Sequence, residues 1–110
     1  MATIQLNRDF DASNCVRALI SVTEALTEII GKENDAINAD ALESVASLQA
    51  EKARLAASHA RSTQSVAANR VAFFSVEQDL LEELKVHTQS FEASVAEQHA
   101  LLNDREIKDC

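Results

Sequence analysis

The chain has no proline, no tryptophan and no tyrosine, and Gly31 is its only glycine. A β-rich fold closes its turns with glycine and proline, so such a fold is excluded in practice. Bulk is scarce too. The four aromatics are Phe10, Phe73, Phe74 and Phe91. The core is therefore predicted to be an Ala/Leu/Val seam between helices rather than a deep interior. Cysteine is limited to Cys15 and Cys110. Two distant cysteines make no disulfide framework, and a reducing cytoplasm is the expected location. Cys15 lies beside an apolar stripe and reads as a small buried hydrophobe, whereas terminal Cys110 reads as mobile. No apolar run is long enough to cross a bilayer. Arg8 is the only early basic residue and no apolar segment follows it, so no signal peptide is expected.

Positive charge is also in short supply. Ten Lys and Arg face 18 Asp and Glu, a net charge of −8. Sequence-independent binding to nucleic acid needs the opposite balance, because Lys and Arg must neutralise phosphates. A membrane-binding helix face would likewise be rich in Lys and Arg. The charge is uneven. Lys52, Arg54, Arg61 and Arg70 follow Glu51 without another acid between them. Glu77, Asp79, Glu82, Glu83, Glu92, Glu97, Asp104, Glu106 and Asp109 dominate the last third. Two solvated faces are the simplest account.

What remains is helix-forming: Ala, Leu, Glu, Gln, Lys and Arg. The length suits one domain, residues 1–110, and the fold class is predicted as all-α. Three long amphipathic helices are expected, near 10–37, 40–62 and 66–103, packed as an antiparallel bundle. Tails are expected at 1–9 and 104–110. In the first helix Val16, Leu19, Ile20, Leu26, Ile29, Ile30 and Ile37 recur at spacings of three, four and seven, which is one helical face. Val22 and Thr23 widen it. Gly31 costs about 1 kcal/mol relative to alanine there and points to a close neighbour or a mild bend.

Asn38-Ala39-Asp40 breaks the pattern. Asp40 followed by Glu43 reads as a capping box, with Asp40 accepting from the first turn of the second helix. Asp40→Ala is then expected to cost about 1 kcal/mol. So short a connection turns the second helix back along the first. Leu42, Val45, Leu48 and Leu55 form its stripe. Lys52 sits at a seam position, and counting away from the turn sets it beside Leu26, with Glu24 or Glu28 as partner. The polar run Ser62-Thr63-Gln64-Ser65 is the predicted second turn; a helix continuous through it is the alternative. The third helix carries Phe73, Val76, Leu80, Leu84, Phe91, Val95 and Leu102, with Phe74, Leu81 and Leu101 offset. It is the longest, at roughly 57 Å against roughly 33 Å for the second. Part of its stripe is expected to outreach its neighbours and to receive a partner.

Nothing reads as an active site. His59, His87 and His99 are not at helical zinc spacing. No Glu-x-x-His occurs, so a carboxylate di-metal bundle is unsupported. No His is followed by the Lys-Gly expected of a phosphotransfer helix, and no glycine-rich phosphate loop exists. Glu82, Glu83 and Glu92 read as solvated. The expectation is no enzyme, no metal and no cofactor.

Glu33, Ala36, Ile37, Asp40, Leu42, Leu48, Lys52 and Leu55, with Asn69 before Val71–Phe74 and a long third helix, resemble the FlgN-type flagellar export chaperones. The likeness spans about residues 15–100. It implies a cytoplasmic chaperone that binds the C-terminal helical segment of a hook–filament junction protein. It also implies that premature assembly is prevented and the client is passed to the flagellar export gate. The extended C-terminal tail with an aromatic and Asn-Gly, which some members of the family use for the gate, has no counterpart in this sequence. Phe74, Leu81, Leu84, Phe91 and Val95 are the residues expected to receive the client helix. Phe74 and Leu81 are the best candidates for exposure; Leu84 and Phe91 divide evenly between core and client. A self-associating coiled-coil adaptor, such as a homodimer, would use the same stripes.

Overall fold

The computed structural model describes residues 11–109, with side chains through residue 105. The expected tail at 1–9 and the mobility of Cys110 lie outside the described residues. Helix α1 runs Ala12–Asn38, α2 runs Leu42–Ala68, and α3 runs Gln78–Asp109. A short 3-10 helix, Arg70–Ser75, joins α2 to α3. Among the described residues there is no strand, and the fold is an all-α bundle 62 × 25 × 20 Å in extent.

The organising element is α1. Both α2 and α3 pack along it at backbone distance, whereas α2 and α3 meet each other through side chains, as where Phe91 stacks on His59. The burial pattern follows. Thirteen residues of α1 are buried, against Leu55 alone in α2 and none in the described part of α3. One apolar cluster joins Leu19, Val22, Leu26 and Ile29 to Leu55, with Leu48, Val66, Leu84 and Phe91 against it. A second joins Ala12, Val16 and Ile20 to Val76, with Phe73, Leu80, Leu81 and Leu84 against it. The wide α1 stripe is therefore wide because it serves two neighbours.

The α1–α2 turn corrects the capping-box reading. Asp11, not Asp40, caps a helix with its side chain: its Oδ1 accepts from the Asn14 N–H at 3.0 Å. Helix α2 starts after Ala41 with no side-chain cap. Asp40 instead sits just past α1 in the left-handed region, φ 58°. The Ala41 N–H donates to the Ala36 carbonyl at 2.8 Å, and the Asp40 N–H donates to that of Ile37 at 3.1 Å. These two bonds make a Schellman ending to α1, which needs a left-handed residue at this place. With no glycine available, aspartate fills it, and its carboxylate pairs with Arg105. An aliphatic side chain suits that conformation poorly. Asp40→Ala is therefore expected to be less stable than Asp40→Gly by about 1 kcal/mol, although alanine is the better helix former. Equal urea midpoints for the two variants would rule the left-handed turn out.

The second break also differs from expectation. Ser62–Ser65 stays helical, with Thr63 donating its hydroxyl to the His59 carbonyl at 2.8 Å within the helix. Helix α2 ends at Asn69, whose side chain donates to the Ser65 carbonyl at 2.9 Å. Phe73 and Val76 thus belong to the connector rather than to α3. The helices are 27, 27 and 32 residues long, so α3 outreaches α1 by far less than expected. Helix α3 continues to Asp109, past the expected end at 103, and Asp40 pairs with Arg105. Cys15 is half-buried rather than buried, with Sγ 4.0 Å from the Ser62 carbonyl, and burial raises its thiol pKa. A methyl group on Gly31 would meet nothing within 4 Å, so close approach is not its role.

Candidate partner-binding surface

The five expected partner residues do not form one patch. Phe74 lies on the connector and is 89% exposed, beside Val71 at 80%. Leu81 is half-buried against the Val16 cluster. Leu84 touches both clusters. Phe91 packs on the Leu26 cluster and stacks on His59 from α2, ring centres 6.1 Å apart. Val95 is half-buried. Thus the end of the bundle at the connector presents free apolar surface, and the α3 stripe is only partly covered. Its solvent side carries Asp79, Glu82, Glu83, Glu92, Glu97 and Asp104, with Lys85 the basic residue among them.

A different constellation lies at the opposite end. Glu33 is 1% exposed, and its carboxylate meets both neighbouring helices. Oε1 accepts from Lys52 Nζ of α2 at 3.0 Å and from Gln98 Nε2 of α3 at 3.0 Å. Oε2 accepts from Gln49 Nε2 of α2 at 2.6 Å. Gln98 Nε2 also donates to Asn34 Oδ1 at 3.2 Å, and Asn34 Nδ2 donates to the Ser94 carbonyl at 3.3 Å. A buried charge without partners would be costly, and here it is fully partnered. Burial pushes the Glu33 carboxyl pKa up. The hydrogen bonds from Gln98, Lys52 and Gln49, with the Lys52 charge, outweigh that and hold it below the ordinary value.

Lys52 therefore pairs with Glu33, not with Glu24 or Glu28. Helical side chains lean toward their own N-terminus. Lys52 leans toward the turn, where Glu33 waits. Glu28 pairs with Lys32 on its own helix instead, at 3.8 Å. Sequence reasoning missed Glu33 as a buried group. The signal was present: Glu33 follows Ile29 and Ile30 at stripe spacing. Val71 was missed as well, because the connector was read as helix.

Among the described residues no group of three His, Cys, Asp or Glu gathers as metal ligands would. No described helix is long and apolar enough to cross a membrane. The chain matches no protein-family model, no curated protein and no solved structure.

Proposed function

We propose that this chain is a cytoplasmic, helix-holding chaperone of the FlgN type. Its client is the C-terminal helical segment of a hook–filament junction protein, kept from assembling until export. One observation carries the reading. The long helix α3 bears Leu80, Leu81, Leu84, Phe91, Val95 and Leu101, yet none of them is fully buried. An apolar stripe so incompletely covered favours completion by a further amphipathic helix. The acids beside it favour a client with a basic flank. Delivery to an export gate belongs to the same reading and draws its support from the family resemblance alone.

The test uses a synthetic peptide of that C-terminal segment. The wild-type chain should bind it in calorimetry. The double variant Phe74→Ser/Leu81→Ala should keep its helical signal and bind roughly a hundredfold more weakly, since each large side chain buried by a partner contributes about 1.5–3 kcal/mol. Phe74→Ser alone should leave stability within about 0.5 kcal/mol. No heat from the wild-type chain would remove the export-chaperone reading.

A self-associating adaptor is the second reading. Ala46, Ala50, Ala53, Ala57 and Ala60 all lie exposed on α2 at spacings of four and three. Small side chains at that spacing let two helices approach closely. Light scattering separates the readings: a dimer at micromolar concentration that ignores the peptide supports the adaptor.

A further inference from the structure

We infer that α3 is a hinged arm, pivoting at the connector and clasped at its far end by Glu33. The inference does not depend on the identity of any client. Three observations carry it. First, α3 packs along α1 at backbone distance and reaches α2 through side chains, chiefly Phe91 on His59 and the Leu55 cluster, so moving it leaves the α1–α2 backbone packing in place. Second, its two ends are held differently. At the connector end Val76 is buried with Ala12, Val16 and Ile20, which pins the pivot by apolar contact. Among the described side chains, neither apolar cluster takes a residue of α3 beyond Phe91. From Ser94 onward the named contacts are polar: Asn34 to the Ser94 carbonyl, Gln98 to Glu33 and Asn34, and Arg105 to Asp40. Third, the pivot is not helical through its length. Asn69 leaves the helical region, at φ −127° and ψ 38°, and Val76 is extended, at φ −73° and ψ 139°.

Polar contacts can be exchanged for contacts with water, so this end opens locally before the apolar end does. Gln98 is the key member of the clasp, because among the described residues it is the one α3 side chain on the Glu33 carboxylate. When it lets go, Lys52 and Gln49 still hold Glu33 from α2. The opened arm would expose the faces of α1 and α3 that a helix could fill.

The experiment places spin labels on exposed positions in a chain whose Cys15 and Cys110 are replaced by serine. Ala46→Cys with Ala100→Cys reports the clasp end. Ala67→Cys with Glu82→Cys reports the pivot end. Gln98→Ala should add a longer, broader distance at the clasp end and leave the pivot end unchanged. Gln98→Glu, which sets a second carboxylate against Glu33, should enlarge that component. In the same variants, amides of residues 94–105 should exchange about tenfold faster relative to those of α1. Unchanged clasp-end distances in both variants would overturn the inference. Equal broadening at both ends would mean that α3 leaves as a whole, and would overturn it too. Loss of helical signal in Gln98→Ala would show a pillar of the fold rather than a clasp.

Discussion

Glu33→Ala is expected to lower the stability of the fold by about 2–3 kcal/mol. Hydrogen bonds to a charged group contribute about 1.5–3 kcal/mol, and three donors lose their acceptor at once. Removing one partner of a fully buried ion pair costs about 3–5 kcal/mol. The smaller figure applies here, because Lys52 is 31% exposed and can turn to water. Urea unfolding measures it, and a loss under about 0.5 kcal/mol would show the network to be incidental. The pH dependence has a definite sign. The Glu33 carboxyl pKa is lowered in the folded chain. Its contribution is therefore complete above the unfolded value of about 4.3 and is lost as pH falls through the folded value. The stability gap between wild type and Glu33→Gln should be flat near neutrality and should shrink below about pH 4.3.

Phe91→Ala is expected to cost about 2 kcal/mol. Truncating a fully buried phenylalanine costs about 3–5 kcal/mol, and Phe91 is half-buried. It nevertheless packs on the Leu19, Val22, Leu26, Ile29 and Leu55 cluster and stacks on His59. This variant separates two roles that the sequence left balanced. A clear drop in the urea midpoint assigns Phe91 to the core. A drop under about 0.5 kcal/mol would assign it to the partner surface.

The helices themselves were legible because their signals are local. Stripe spacing marked α1 to within a residue or two, and the short turn after Ile37 marked an antiparallel return. What was not legible depends on the third dimension. Asp40 carries the right residue type for an N-cap and does another job, because helix α1 had to end left-handed and no glycine was at hand. Ser62–Ser65 reads as a turn, but Thr63 spends its hydroxyl inside the helix. The central place of α1 follows from the width of its stripe, which was visible, though its meaning required knowing that α2 and α3 both pack along it. Of the partner surface, Phe74 was legible as exposed. Phe91 and Leu84 were not separable from core, since one stripe serves both purposes.

The span of the Glu33 contacts has a consequence for a chain made from its N-terminus onward. Gln49 lies 16 residues from Glu33, whereas Gln98 lies 65 away. During synthesis the residues of α1 and α2 leave the ribosome before those of α3. Glu33 then has its α2 partners, but Val16, Ile20 and the Asn34 amide still face water. The nascent hairpin is half a bundle with an adhesive edge, and such edges invite wrong partners. Its protection arrives last, with the residues of α3 that close over α1.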